Sequence, residues 1–349
     1  MSFQRKLWKT EEKQAPCWLF IAWPSSKLKR SNLFCFFIIL ISLATIILLL
    51  YPVLNLEMLL QLITVKHEGQ LKTCSLAFNN SSKGAIYADT DSIPSFDDLE
   101  HDLSPSLLPG GHYVPASCKS KYKVGIIVPF RDRDIHLKIF LRHMHPFLQR
   151  QNLEYGIIIV EQEADSLFNR AILFNIGFVE SIKVRSYDCF VFHDVDLLPL
   201  NDKNYYSCGD QPVHLSAAID THNYKLMYHE LFGGASMMTR EMIEKVNGFS
   251  NVYFGWGGED DDMSYRIRSH SMLIERYTSG VARYTMMRHA KENKEDRTRL
   301  FATSRQRIHK DGLNSLKYEL LDKELRPLYT WFYVRINQTE ILRGQNLIH

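Results

Sequence analysis

Net charge is nearly absent from this chain: 42 lysines and arginines face 39 aspartates and glutamates, a formal balance of +3 over 349 residues. A nucleic-acid reader would show a basic face and a domain pI above about 9, and no RNA- or DNA-binding motif is present, so nucleic acid is excluded as a partner. No internal repeat is visible, and none of the six cysteines stands in a Cys-x-x-Cys spacing, which argues against a zinc site of that type. Charge is missing altogether from Leu33 to Leu50, an 18-residue run.

At roughly 1.5 Å per residue that run reaches about 27 Å, enough to cross a bilayer. A core helix rarely stays apolar on every face for this length. A cleaved signal peptide wants a shorter leader and a small-residue cleavage site, whereas Tyr51-Pro52-Val53-Leu54 follows. Lys27, Lys29 and Arg30 precede the run and Glu57 is the first charge after it, so the N-terminus stays cytosolic. The expected layout is a cytosolic tail over 1–32, a signal-anchor helix over 33–51 and a lumenal remainder. Cys74, Cys118, Cys189 and Cys208 would then face an oxidising space, where disulfides are the default and three pairings are open. Asn79, Asn80 and Asn337 each open an Asn-x-Ser/Thr sequon, usable on that side of the membrane.

After the anchor a stem is expected over 52–111, its composition turning from about Lys66 to Ser, Asn, Asp, Pro and Gly. Order resumes with short apolar runs at Val124–Val128, Tyr155–Val160, Cys189–Phe192 and His214–Ile219. Residues 134–150 and 167–180 carry apolar side chains at helical spacing, so the alternation predicts an α/β fold with a parallel sheet and helices on both faces. Ligands bind such sheets at the carboxyl ends of the strands. Arg131 and Arg133, Glu161 and Gln162, and Asp194 with Asp196 follow the runs and are expected to converge there.

His193-Asp194-Val195-Asp196 puts two carboxylates where a strand leaves the core. Read as strand, the spacing gives both one face, suited to a divalent cation and a diphosphate; a turn with Asx hydrogen bonds would also account for it. Phe254-Gly255-Trp256-Gly257-Gly258-Glu259-Asp260-Asp261-Asp262 is harder to explain structurally. Crowded carboxylates repel and raise one another's pKa, which suits a general base, and the glycines would let Trp256 move as a lid. An acidic helix N-terminus is compatible with the same residues. Met286-Met287-Arg288-His289 ends a strand-like stretch with a histidine able to ligate metal, a weak signal alone.

Taken in order, Pro129-Phe130-Arg131-Asp132-Arg133, Phe168-Asn169-Arg170, Phe192-His193-Asp194-Val195-Asp196, Phe232-Gly233-Gly234, Asn247-Gly248-Phe249, the Gly255–Asp262 stretch, Met286-Met287-Arg288-His289 and Asp311-Gly312-Leu313-Asn314-Ser315-Leu316 resemble the β-1,4-galactosyltransferase family (glycosyltransferase family 7). The resemblance runs from about Cys74 to Val334. It implies a GT-A fold with a Rossmann-like nucleotide-sugar-binding sheet over 112–335, a C-terminal tail over 336–349, and a type II protein of the Golgi membrane. It further implies Mn2+ on Asp196, Met286 and His289. UDP-sugar would be bound by Pro129, Phe130, Arg131, Arg133, Phe168, Arg170, Asp194, Val195, Leu231, Gly234, Trp256 and Glu259. Asp260 would be the general base of an inverting transfer, and Asp261, Arg297 and Phe301 would bind a GlcNAc-terminated glycan. The family's disulfides map onto Cys74 with Cys118 and Cys189 with Cys208. Thr221 stands where the vertebrate galactosyl enzymes carry a lysine, and Thr298 where an aromatic is usual. Leu231 replaces the tyrosine that crowds the donor's 2-substituent in those enzymes, so UDP-GalNAc is the expected donor and UDP-Gal the alternative.

Overall fold

In the computed structural model, which describes residues 38–43, 45–46, 71–74, 84–289 and 297–347, the apolar runs become adjacent strands buried on both faces. The strands are β1 (His112–Tyr113), β2 (Lys123–Phe130), β3 (Glu154–Gln162), β4 (Cys189–His193), β5 (Leu197–Pro199) and β6 (Val213–His214). They continue with β7 (Ala218–Ile219), β8 (Ala235–Thr239), β9 (Glu275–Arg276), β10 (Arg283–Met286), β11 (Glu319–Leu325) and β12 (Thr330–Arg335).

Side-chain alternation sorts the central strands between two layers. Val124, Ile126 and Val128 of β2, Ile157 and Ile159 of β3 and Val191 of β4 pack with Phe140, Met144 and Phe147 of the helix Asp134–Arg150. Their neighbours Ile127, Ile158, Val160, Phe190 and Phe192 point the other way, onto Ile172, Phe174 and Phe178 of the helix Arg170–Val184 and onto Phe249. A strand covered on both sides has no polar face, so these three read as unbroken apolar runs.

The sheet is mixed rather than parallel throughout. β2 pairs in parallel with β3 and β4, and β12 in parallel with β3, but β8 on β4 and β11 on β12 are antiparallel. The full order is β11-β12-β3-β2-β4-β8-β6-β9 with β1 beside β3, and β5-β10-β7 form a second, small sheet. The run expected as one strand over 214–219 is split between the two. Leu215 N and Ser216 N both donate to Ala235 O, a bulge that sends the chain from one sheet to the other.

The expected stem and tail need correction from residue 84 onward and at the C-terminus. Ile86 N donates to Leu200 O, Arg142 Nη2 to Asp89 O, and the helix Phe96–Leu103, capped by Ser95, buries Leu99. Composition suggested a tether here because a helix of about two turns with one buried leucine leaves little apolar signal. The residues after 335 likewise form a helix, Gln338–Gly344, whose cap Asn337 accepts from Glu340 N and which buries Ile341. Contacts divide the chain into Met1–Gln70 and Leu71–His349. In the first unit residues 38–43 and 45–46 are helical; among the described residues no helix is long and apolar enough to cross a membrane. Most of the expected 33–51 span, and all of 1–32, lie outside the described residues.

Cys74 is bonded to Cys118 and Cys189 to Cys208. Beneath the helix Glu259–Ser269 sits a buried ionic cluster. Arg266 Nε donates to Asp262 Oδ1 at 2.6 Å, and Asp311 lies 3.7 Å from Arg266 and 3.6 Å from Arg307 while accepting from Asn251 N at 2.8 Å and from Ser250 Oγ. Removing one member of such a cluster leaves a charge without a partner or water. Asp311→Ala is therefore expected to cost about 3–5 kcal/mol. Glu340→Gln, which removes an exposed partner of Lys317, is expected to cost less than about 1 kcal/mol. Urea denaturation of both variants checks the contrast.

Candidate active site

The carboxyl ends of β2 and β4 and the start of the helix Arg170–Val184 meet at Arg170. Its Nε donates to Asp194 Oδ1 at 2.5 Å, its Nη1 to Glu259 Oε1 at 3.3 Å and its Nη2 to Gly234 O at 3.3 Å, while the guanidinium lies 4.6 Å over the Phe174 ring. Asn169 caps the helix by accepting from Ile172 N, and Gln162 accepts from Asn169 N at 2.8 Å. The Gln162 side chain is thus a support for that cap. Glu161 is turned aside to accept from Trp331 Nε1. Neither of these two residues joins Arg170, because the end of β3 faces β12.

Arg131 donates to Ser166 O at 2.8 Å and stacks 5.2 Å from the Phe168 ring, beyond Pro129 and Phe130 at the end of β2. Arg133 begins the helix Asp134–Arg150 and, with His136, Asp220, Thr285, Met286 and Arg288, lines a cavity of about 860 Å³. Asp194 and Asp196 do not share a face as strand alternation predicted. β4 ends at His193, and Leu197 N donates to Asp194 O at 3.3 Å, so the two acids and buried Val195 lie in a turn. One acid reaches Arg170; the other, Asp196, reaches His289.

The four successive acids form the first turn of the helix Glu259–Ser269, where the helix N-terminus favours negative charge. They diverge. Glu259 meets Arg170, and Asp261 Oδ1 accepts from Tyr228 OH at 2.8 Å. Asp262 turns inward to Arg266 and belongs to the core, a structural role for one of the four. Asp260 lies against Gly233: a β-carbon there would stand 2.4 Å from Asp260 Oδ2, so the Phe232-Gly233-Gly234 backbone is the surface on which this carboxylate rests. Ahead of the helix, Gly257 and Gly258 have φ of 95° and 93°, a left-handed backbone that follows exposed Trp256. Arg297 Nη2 donates to Phe254 O and Trp256 O beneath that loop, and Phe301 is exposed on the short helix Thr298–Ala302.

Burial and mutual repulsion dominate the carboxylates. Burial pushes Asp194 up to about 6 against the pull of Arg170. Burial and Asp260 push Glu259 up to about 7, and burial raises Asp260, with Arg170 opposing. Arg170 is held protonated by Asp194 and Glu259 despite its own burial.

His289 Nδ1 lies 2.8 Å from Asp196 Oδ2, and the carboxylate raises the imidazole's pKa by accepting a hydrogen bond from it. Met286 of β10 is opposite Leu197 of β5, and Met287 N donates to Asp196 O at 2.8 Å, so the backbone carrying Met286 runs beside the Asp196 turn, with the thioether 3.9 Å from Thr221 Oγ1. Two donors on adjacent positions of one octahedral ion lie about 3 Å apart, so the Asp196–His289 spacing fits a shared cation once the imidazole is neutral. Among the described residues no group of three or more His, Cys, Asp or Glu gathers for a metal, here or elsewhere; Asp196 and His289 are a pair. The mixed oxygen, nitrogen and sulfur set disfavours magnesium, which demands oxygen ligands, and suits manganese.

Residues 74–209 match the N-terminal region of glycosyl transferase group 7, and residues 213–290 match the N-terminal domain of galactosyltransferase. The chain belongs to this β-1,4-galactosyltransferase family. It is 47% identical over 225 residues to β-1,4-galactosyltransferase 4 of Cricetulus griseus, covering 63% of this chain and 65% of that protein. It is 46% identical over 237 residues to human β-1,4-galactosyltransferase 1, covering 67% of this chain and 60% of that protein. The crystallised catalytic domain of Drosophila β-1,4-galactosyltransferase 7, in complex with xylobiose, superposes with a TM-score of 0.54 at 31% identity, covering 62% of this chain and 94% of that one. A mutant of the same Drosophila enzyme was solved with manganese, UDP-Gal and xylobiose, at the same TM-score and identity. The fold is accordingly GT-A-like.

Sequence reasoning missed three family-site neighbours. Tyr228 contacts Asp261. Asp220 accepts from Met286 N at 3.1 Å and from Thr285 Oγ1. Arg276 donates to His229 O and Leu231 O, both at 2.7 Å, and so fixes the loop carrying buried Leu231. None lies in a recognisable motif, and each acts across 33 to 66 residues of sequence.

Because Glu259 holds its proton more tightly folded than unfolded, its contribution to stability is complete below its ordinary pKa and is lost as pH rises from about 4.5 to about 7. Glu259→Gln, in a side chain only 12% exposed, should remove that slope. The stability difference between pH 5 and pH 8 is expected to shrink by about 2 kcal/mol, read by urea unfolding at both values.

Proposed function

We propose that this chain is an inverting, Mn2+-dependent glycosyltransferase that moves GalNAc from UDP-GalNAc, in β1,4 linkage, to a terminal GlcNAc of a glycoprotein or glycolipid glycan. The observation that carries the reading is Asp260, a carboxylate with a raised pKa resting on the Gly233 backbone beside Arg170 and Asp194. In this reading Asp260 takes the proton of the acceptor's 4-hydroxyl. The acceptor oxygen forms its bond to the anomeric carbon as the bond from that carbon to the UDP oxygen breaks on the opposite face, which inverts the centre. Arg131, Arg133 and Arg170 bind and orient the diphosphate, with Phe168 and the end of β2 on the nucleoside side. Asp196, Met286 and His289 would hold the divalent ion, which when bound neutralises charge on the departing diphosphate. Asp261, fixed by Tyr228, would hold the acceptor together with Arg297 and Phe301, and the Trp256 loop would close over the donor.

Leu231 supports GalNAc: it is buried, aprotic and held by Arg276 next to the glycine pair, leaving room for a 2-acetamido group. Galactose is the second reading, favoured by the names of the relatives. The disulfides support an oxidising compartment, and the charge-free run with its basic flank supports a type II anchor in the Golgi membrane with the catalytic domain lumenal.

Asp260→Asn is expected to lower kcat by about 10²–10⁴ while leaving the melting temperature unchanged or higher, since it removes a destabilised charge. The parent's kcat/KM should fall on the acid side at a pH above the ordinary carboxylate range. Full turnover by Asp260→Asn would defeat the assignment. For the donor, initial rates with UDP-GalNAc and UDP-Gal at saturating GlcNAc decide. GalNAc transfer should dominate, Leu231→Tyr should shift the ratio toward galactose by at least about tenfold, and a parent that prefers UDP-Gal would overturn the GalNAc reading.

A further inference from the structure

The turn that carries Asp196 has a second anchor. Asp194 O already accepts from Leu197 N at 3.3 Å, and it also accepts from His193 Nδ1 at 2.8 Å. A carbonyl can only accept, so Nδ1 carries the hydrogen and Nε2 of the neutral ring must accept. Burial keeps that ring neutral, lowering its pKa to about 4. Tyr206 OH, 2.9 Å from Nε2, therefore donates to it; Tyr206 in turn accepts from Tyr284 OH at 2.7 Å, and Tyr284 accepts from Asn204 Nδ2 at 3.3 Å. Every step fixes the direction of the next, and all four side chains are 0% exposed. The chain of hydrogen bonds has a single arrangement.

Its two ends lie on different parts of the cation site. His193 braces the turn that presents Asp196, and Tyr284 sits in β10 two residues before Met286. Packing alone does not call for this chain: phenylalanines would fill the space of both tyrosines, and Asp194 O has a partner without the imidazole. Buried polar groups that an apolar core would replace at little cost point to a demand for geometry rather than stability.

We propose that Asn204, Tyr284, Tyr206 and His193 are positioning residues that fix the separation of Asp196 from Met286 and thereby set the affinity of the divalent-cation site. The inference rests on the cation reading above.

The test is Mn2+ binding to the full chain without nucleotide, followed by the EPR signal of the free ion, with thermal melting in parallel. Tyr206→Phe and Tyr284→Phe are each expected to weaken binding about tenfold, with the melting temperature shifted by no more than about 4 °C in Tyr284→Phe and by up to about 10 °C in Tyr206→Phe, which leaves the buried His193 Nε2 without a donor. The double variant should weaken it by less than the product of the two, because they interrupt one chain. The Mn2+ needed for half-maximal turnover should rise in proportion while kcat at saturating Mn2+ recovers. Tyr155→Phe is the control, an equally buried tyrosine whose hydroxyl meets His145 Nδ1 at 2.8 Å, and should leave the affinity unchanged. Tyr284→Phe leaves the Tyr206–His193 bond in being and decides alone if the other variant fails to fold. Folded phenylalanine variants that bind Mn2+ as tightly as the parent overturn the proposal, as does an equal loss in Tyr155→Phe. Asp196→Ala and His289→Ala separate the two levels. Binding that survives them removes the cation reading itself; binding that is lost with them but indifferent to the tyrosines removes only the positioning chain.

Discussion

One guanidinium holds the site together. Arg170 is the cation shared by Asp194, Glu259 and, through space, Asp260, and it reaches Gly234 O as well. Burial raises all three carboxylates, their mutual repulsion adds to it, and the single positive charge of Arg170, which pulls all three down, does not offset the two. Such carboxylates hold protons more tightly than exposed ones, as the proposed general base requires, and the excess of negative charge leaves the site receptive to further positive charge. A cation at Asp196 and His289 would supply it from the far side of the turn.

That imbalance would be costly if the acids faced one another, and helix geometry prevents it. Successive residues on a helix advance by about 100°, so four acids in a row point in four directions: to Arg170, to the Gly233 backbone, to Tyr228 and to the buried Arg266. Read as sequence, the quartet looks like one dense negative centre. Folded, it is a junction at which Arg170, Tyr228 and the core meet, and the inward Asp262 ties the first turn of the helix to the Asp311–Arg307 cluster below.

Much of the architecture could be read from residues alone because it rests on local pattern. Three both-faces-buried strands and the helix Asp134–Arg150 announce themselves by apolar runs and helical spacing, and ordered motifs identified the family. What escaped was set by contacts distant in sequence. Strand alternation misled at Asp194 and Asp196 because the strand ends one residue earlier. The 214–219 run broke where Ala235 O drew two amides, and the segment from 84 onward docks through backbone bonds to 200–202 that composition does not encode. Tyr228, Asp220 and Arg276 act through single long-range hydrogen bonds, which leave no periodicity to detect.

The same distinction separates the two kinds of polar burial beneath the site. The Asp262–Arg266–Asp311–Arg307 cluster joins helix to loop by charge, and loss of one member leaves an uncompensated charge in the interior. The His193–Tyr206–Tyr284–Asn204 chain is uncharged and could be replaced by apolar groups with little loss. What it adds is direction, since the acceptor character of one carbonyl propagates through three hydroxyl and imidazole steps to a neighbouring strand. The first kind of network is costly to break once it is formed; a site that must hold donors a fixed distance apart needs the second.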